Sequence, residues 1–352
     1  MLEIDGSRGE GGGQIIRSSL ALSLLTGTPV KLTNIRAKRK NSGLARQHLV
    51  AVQAVAQLSD AKVNGAALGS SQLAFEPGAV KPGAYEFRIG TAGSASLVLQ
   101  TILPPLLLAT GPSTLVIEGG THNPMAPPVD FIIRSYAPLI ERLGPRLQVQ
   151  LDRHGFFPGG GGRVVVHIEP VAKFSGLKLR ERGGILSKQV RALVANLPKK
   201  IAERECHEIR RLSGWEKNSF HALEVPAHGC GNAVLIEIAS EHVTEVFVGF
   251  GERGVSAERV AASTWQEADE YLQAEVPVGP HLADQLILPL AIAASHGEYS
   301  SFRTLALTGH SLTHLEIVQR FLPVQLTTNE VSKGIVEVLF APQHDSESPA
   351  TI

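Results

Sequence analysis

The chain has 352 residues, 43% of them hydrophobic and 19% charged, which supplies apolar material for a folded core and excludes a disordered chain. Lysine plus arginine equals aspartate plus glutamate at 33 each, so bulk charge cannot drive nucleic-acid binding and any such site has to be a local patch. The two cysteines, Cys206 and Cys230, show no paired spacing; this excludes a disulfide framework and a cysteine zinc pattern, and suits a reducing compartment.

One pattern occurs three times along the chain. It runs from an opening strand and a small-residue turn into a long apolar helix and a break containing glycine. A strand, a turn, a second amphipathic helix and two closing strands follow. In the first copy the strand is Leu2–Asp5, the turn Gly9–Gly13 and the helix Gln14–Leu25. Thr26-Gly27-Thr28-Pro29 breaks it, Val30–Ile35 is the next strand, and Leu44–Leu58 is the second helix, with Leu49, Val52, Val55 and Ala56 at helical spacing. The second copy reads as strand Tyr85–Ile89, turn Gly90–Ser94, helix Ser96–Leu108, strand Thr114–Glu118, helix Val129–Leu143 and strands Gln148–Leu151 and Val164–Ile168. The third is split. Its opening strand is Leu177–Arg180, and its long helix, Leu282–Ala294, comes about a hundred residues later. Strand Thr304–Thr308, helix Leu315–Phe321 and strands Val324–Thr327 and Ile335–Phe340 complete it.

The intervening segment has helices at Lys188–Asn196, Ala202–Leu212 and Ala257–Ala274 and alternating strands at Val234–Ala239 and Thr244–Gly249. The expected fold class is therefore α+β. Residues 1–183 and 278–342 form a large domain of three repeated units sharing a core. Residues 184–277 form a smaller α/β domain inserted in the third unit, and 343–352 a flexible tail. Met1–Gly13 has no apolar signal-like run, and the longest apolar stretch, Thr101–Thr110, carries two prolines and is too short to cross a bilayer. No membrane partner and a cytoplasmic location are expected.

Five segments have chemistry to offer. Arg8-Gly9-Glu10-Gly11-Gly12-Gly13-Gln14 precedes a helix, where free N–H groups attract phosphate; it is equally readable as a tight turn, and it is neither a Walker A loop nor a dinucleotide fingerprint. Arg8, Arg17, Lys31, Arg36, Lys38, Arg39, Lys40 and Arg46 oppose the single acid Glu10 between Gly6 and Val50. Such runs are usually solvated faces, but arginines on a loop beside glycine turns suit a phosphate or RNA-end site. Thr121–Pro128 places prolines before a helix and reads best as a stiff connection. His310, in Gly309–His314, ends a third-repeat strand; among 13 histidines most are structural, yet an exposed one at a strand end can act as base, ligand or nucleophile. His281–Gln285 opens the third long helix, where Asp284 either favours the helix dipole or holds a histidine or metal.

Taken in order, Glu10–Arg17, Ile35–Arg39, Gly43–His48, Gly93–Gln100, Gly119–Pro124, Arg153–Pro158, Gly254–Glu258, Leu282–Leu286 and His310–Thr313 resemble the RNA 3′-terminal phosphate cyclase family over about residues 2–340. The resemblance implies three similar units with an inserted smaller domain. It also implies activation of an RNA 3′-phosphate by ATP with a divalent metal, Mg2+ or Mn2+, and closure to a 2′,3′-cyclic phosphate. His310 matches the adenylylated histidine. Gln100, Pro127, His281, Leu282, Ala283, Asp284 and Gln285 match ATP-contacting positions. Arg17, Arg36, Arg39 and Gln47 match the phosphate cleft, and Glu10 matches the acid near the metal. His314 stands where some relatives carry Asn, and whether Asp284 orients His310 or contacts ATP stays open, as does the oligomeric state. Two other readings remain: a catalytically silent cyclase-like protein of RNA or ribosome assembly, which the presence of His310 disfavours, and an enolpyruvyl transferase-like enzyme.

Overall fold

The computed structural model describes residues 1–343, so the expected tail lies outside the described residues from position 344 onward. The first repeat consists of β1 (Leu2–Asp5), α1 (Gln14–Thr26), β2 (Val30–Thr33), α2 (Arg46–Ser59), β3 (Lys62–Asn64) and β4 (Leu73–Glu76). In the second are β5 (Ala84–Arg88), α3 (Ala95–Leu106), β6 (Ser113–Gly119), α4 (Val129–Phe131), a π-helical turn at Ile132–Tyr136, α5 (Ala137–Glu141), β7 (Arg146–Arg153) and β8 (Gly162–Glu169). The third opens with β9 (Lys178–Leu179). It is interrupted by β10 (Ile185–Ala195), α6 (Lys200–Ser213), β11 (Phe220–Glu224), β12 (Gly231–Ser240), β13 (Thr244–Phe250) and α7 (Ala257–Ala274). It resumes with α8 (Pro280–Ser295), β14 (Ser300–Leu305), α9 (Gly309–Gln319), β15 (Val324–Ser332) and β16 (Ile335–Pro342).

The chain is α+β, and each repeat builds one four-stranded sheet of the same topology: β1-β2-β4-β3, β5-β6-β8-β7 and β9-β14-β16-β15. In all three the first two strands run parallel and the other pairings are antiparallel. A parallel pair needs a crossover, and the long apolar helix provides it. In the third sheet the crossover also spans the interruption, whose own sheet has the order β11-β10-β12-β13.

The three crossover helices are apolar almost all round. In α1 nearly every residue from Gln14 to Leu24 is buried; α3 and α8 are similar. A helix without a polar face has to sit inside, so these three lie within a single hydrophobic cluster that reaches all three sheets. The sheets keep one face against that interior, as the alternating burial of β6 and β8 shows. The interrupting segment has a second, smaller cluster around Val190, Ile236, Phe247 and Tyr271.

Two elements differ from their sequence expectation. Lys188–Asn196 was expected to be helical, but all of it up to Ala195 belongs to β10, which pairs with β11 on one side and β12 on the other. A central strand is buried on both faces, so its apolar residues lose the period-two signature. The helix expected at Leu315–Phe321 starts earlier, at Gly309. The Thr308 side chain accepts the Ser311 N–H and caps the helix there, which puts His310 in a first helical turn rather than on a strand end.

Candidate active site

Each interior helix carries a polar residue toward one place. Gln14 begins α1, Gln100 lies on α3, and Asp284 and Gln285 lie in the second turn of α8. Gln14 Nε2 donates to Asp284 Oδ1 at 2.7 Å, and Gln100 Nε2 donates to Gln285 Oε1. These side chains, with Arg17 and Tyr136, line a cavity of about 40 Å³. That is room for a few waters.

His310 stands at the edge of this network with its side chain 37% exposed. Its Nδ1 meets Gln14 Oε1. A carboxylate only accepts, so Asp284 fixes the Gln14 amide with its nitrogen inward and its oxygen toward the histidine. Nδ1 must therefore be the N–H toward Gln14, and Nε2 is the nitrogen that faces Glu10. Nε2 lies 2.6 Å from Glu10 Oε2, and the same oxygen takes Arg39 Nη2 at 3.2 Å. Glu10 comes from the glycine turn before α1. A Cβ on Gly12 would stand 2.9 Å from Arg39 Nη2, so the turn is glycine where the guanidinium crosses it.

Burial opposes ionisation of Asp284, but His314, Gln14 and His310 outweigh it and hold the carboxyl below its ordinary range. His314 Nδ1 reaches the Asp284 carbonyl at 3.1 Å and its Oδ1 at 3.5 Å. Burial brings Arg17 down to about 10, with Asp284 acting in the opposite sense. Arg36 is lowered by burial and then by the Arg39 charge; it has a left-handed φ of 53° and donates to the Gly43 carbonyl at 2.8 Å. Behind it, His48 is 4% exposed. Burial and the charges of Arg17 and Arg36 push its imidazole to about 3, so it is neutral at ordinary pH.

The expected residues are thus not all together. Glu10, Arg39, His310, Asp284, Gln285 and Gln100 join one chain of contacts, with Arg17 beside it. Gln47 Oε1 accepts the Ser94 N–H at 3.1 Å and the Pro127 carbonyl accepts Ser96 Oγ–H at 2.7 Å, so both meet the start of α3, outside that chain. His281 turns away to Glu267 of α7, 3.9 Å off, and Leu282 and Ala283 are core residues. Sequence reasoning missed Gln14 as the link between His310 and Asp284; its signal was a polar residue opening an otherwise apolar helix.

It also missed Glu245. This β13 residue is 2% exposed and accepts the Gly279 N–H at the start of α8. α8 has no side-chain cap of its own, and a side chain at Gly279 would come within 3.0 Å of the carboxyl. The interrupting sheet therefore caps the helix that carries Asp284. Burial pushes the Glu245 carboxyl up to about 8, against the N–H groups of Gly279 and Val246.

Among the described residues no helix is long and apolar enough to cross a membrane. The family model described as RNA 3′-terminal phosphate cyclase matches residues 8–328. A protein of Koribacter versatilis (strain Ellin345) named RNA 3′-terminal phosphate cyclase is 48% identical over 331 residues, covering 94% of this chain and 92% of its own length. One of Ralstonia nicotianae (strain ATCC BAA-1114 / GMI1000), with the same name, is 47% identical over 339 residues, 96% of each chain. With a matching fold and a match across nearly its whole length, the chain belongs to the RNA 3′-terminal phosphate cyclase family of enzymes.

Proposed function

We propose that this protein uses ATP to convert an RNA 3′-terminal phosphate into a 2′,3′-cyclic phosphate, through a covalent histidine–AMP and an RNA-3′-pp-A intermediate. The observation that carries this reading is the His310 ring: part exposed, with Nδ1–H committed to Gln14 and Nε2 facing the Glu10 carboxylate, which leaves Nε2 as the nitrogen to bond to phosphorus once Glu10 takes its proton. Nε2 passes its proton by way of Glu10, 2.6 Å away, to solvent and attacks the α-phosphorus of ATP; the N–P bond forms and pyrophosphate leaves. An RNA 3′-phosphate oxygen then attacks the same phosphorus and His310 departs. Finally the 2′-hydroxyl attacks the activated 3′-phosphorus, loses its proton and expels AMP. That closure is intramolecular, with effective molarities on the order of 10⁵ M or more for well-placed groups.

Arg39 and Arg36 would clamp the two anionic partners and stabilise charge in transfer. Arg17 and Gln47 would complete the phosphate cleft. Asp284 acts through Gln14 by holding its amide, which in turn holds the ring. The adenylate would lie against Gln100, Pro127 and the segment from His281 to Gln285. In that segment Leu282 and Ala283 have only backbone to offer. Glu10 uses Oε2 for both Arg39 and His310, leaving Oε1 open. One carboxylate plus substrate phosphates is a donor set that suits Mg2+ or Mn2+. Such an ion, held by Glu10, supplies charge neutralisation on the triphosphate.

Residues 1–183 with 278–342 act as the catalytic body in this reading, and 184–277 as an inserted domain that buttresses α8. The protein is expected to work in the cytoplasm. Incubation of a 3′-phosphorylated RNA with ATP tests the function: a cyclic end and one AMP per end are expected. A 3′-phosphorylated DNA should be adenylylated and stop there for want of a 2′-hydroxyl. A cyclic product from DNA, or cyclisation of RNA without ATP, contradicts the mechanism.

A further inference from the structure

A second histidine cluster lies away from His310. His122 is enclosed, its side chain at 0% exposure, with Nε2 3.0 Å from Asp130 Oδ2. His154 brings its ring to 5.1 Å from that of His122, centroid to centroid. One potential ligand atom from each of His122, Asp130 and His154 lies within 4.8 Å of the others. The three come from different places: the loop after β6, the start of the broken helix, and the segment joining β7 to β8.

The accounting of hydrogen bonds around the cluster is uneven. Thr121 Oγ1 lies 2.9 Å from His122 Nδ1 and accepts the Gly155 N–H at 2.8 Å, which fixes the ring from behind. Arg191 of β10 takes the other oxygen of Asp130, Nη1 to Oδ1 at 3.0 Å, and shares its charge with Glu237 at 3.4 Å. Oδ2 therefore still faces the imidazoles. His154 has no side-chain hydrogen bond among the described residues, although it is half-buried and beside a carboxylate. Phe156 packs on both rings and walls the cluster.

We propose that His122, Asp130 and His154 bind one zinc-class divalent ion, with a fourth position open to water. Two imidazoles and one carboxylate are borderline donors that suit Zn2+ or Co2+ and not Mg2+. Metal–ligand bonds of about 2.0–2.2 Å in a tetrahedron put ligand atoms roughly 3.4 Å apart. The His122–Asp130 pair is already near that spacing, and His154 needs a shift on the order of 1 Å. Thr121 and Arg191 are the outer partners that orient ligating groups in such sites. The ion would be structural. It would pin the loop leading to Pro127, and through Arg191 the inserted β10, to the second sheet. The π-helical turn that follows Asp130, a distortion frequent at functional sites, would keep its carboxylate turned inward.

The test uses the full chain, untagged, stripped with a chelator and titrated with Co2+. A Glu10→Gln background removes the carboxylate proposed for the nucleotide-associated ion. One Co2+ per chain with the strong visible absorption of a tetrahedral site is expected. Zn2+ should displace it, and excess Mg2+ should not. Because His154 is half-exposed, His154→Gln should keep the fold, checked by circular dichroism, yet lose the band and the Zn2+-induced rise in melting midpoint. Cys230→Ser, which removes the exposed thiol, should change neither. No tetrahedral band in the parent, or a band that survives His154→Gln, overturns the site. Adenylylation at His310, measured in the unsubstituted protein, is independent of these outcomes.

Discussion

The candidate active site and the segment that interrupts the third repeat treat buried polar groups in opposite ways. In the site, Gln14, Asp284, Gln285 and Gln100 are spent on one another, one helix to the next, and Asp284 stays ionised because His314, Gln14 and His310 hold it so. In the interrupting segment two buried acids, Glu205 of α6 and Glu245 of β13, stand nearly alone. Glu205, 0% exposed, has Asn232 on one oxygen at 2.9 Å and nothing on the other among the described residues, and burial pushes it up to about 7. Glu245 is pushed up to about 8 and spends itself on a helix end. A paired buried acid keeps its charge and can orient chemistry; a lone one surrenders the charge and serves as a neutral acceptor.

Substitutions at four positions test this contrast. Arg39→Ala should be the most damaging, slowing cyclisation on the order of 10²-fold or more, as loss of a fixed charge-stabilising donor does; single-turnover transfer from preformed enzyme–AMP to RNA measures it. Gln14→Leu should free the His310 ring and slow adenylylation by about 10²-fold, the scale of a small misplacement of reacting groups. Comparable rates for Gln14→Leu and the parent would mean that the amide does not orient the ring.

Glu245→Ala should cost about 1–3 kcal/mol by leaving the Gly279 N–H unpaired, whereas Glu245→Gln, which keeps an acceptor, should cost less. Its pH dependence follows from linkage. The folded value of about 8 lies above the ordinary 4.5, so this carboxyl's contribution is fully present below about 4.5 and is lost as pH rises toward 8. Denaturant melts across that window should lose this part of the slope in Glu245→Gln. His48 acts in the opposite sense, its folded value of about 3 lying below the ordinary 6.5. It favours the folded state above 6.5 and ceases to do so as pH falls toward 3. His48→Gln should flatten acid destabilisation over that range.

The sequence exposed the threefold repeat because each apolar helix is bounded by glycine and proline breaks, and α7 appears at Ala257–Ala274, the limits its periodicity predicts. The same logic misread β10, since a strand buried on both faces and a short buried helix carry the same apolar run. His310 was legible as a residue but not as a helical one, because the Thr308 cap was overlooked. The Glu245–Gly279 contact spans 34 residues and has no local signal. The cluster of His122, Asp130 and His154 was likewise hidden: Thr121–Pro128 was read as a stiff connection, and only the fold brings His154 to it. Partners that meet through tertiary structure leave no periodicity to find.

The central claim is that one nitrogen of His310 bonds to phosphorus, and mass spectrometry of the protein after incubation with ATP and Mg2+ or Mn2+ tests it most directly. The account predicts a single added adenylate, mapped to the peptide containing His310 and absent from His310→Ala. An unmodified chain that still cyclises RNA, or an adenylate on another residue that persists in His310→Ala, contradicts it.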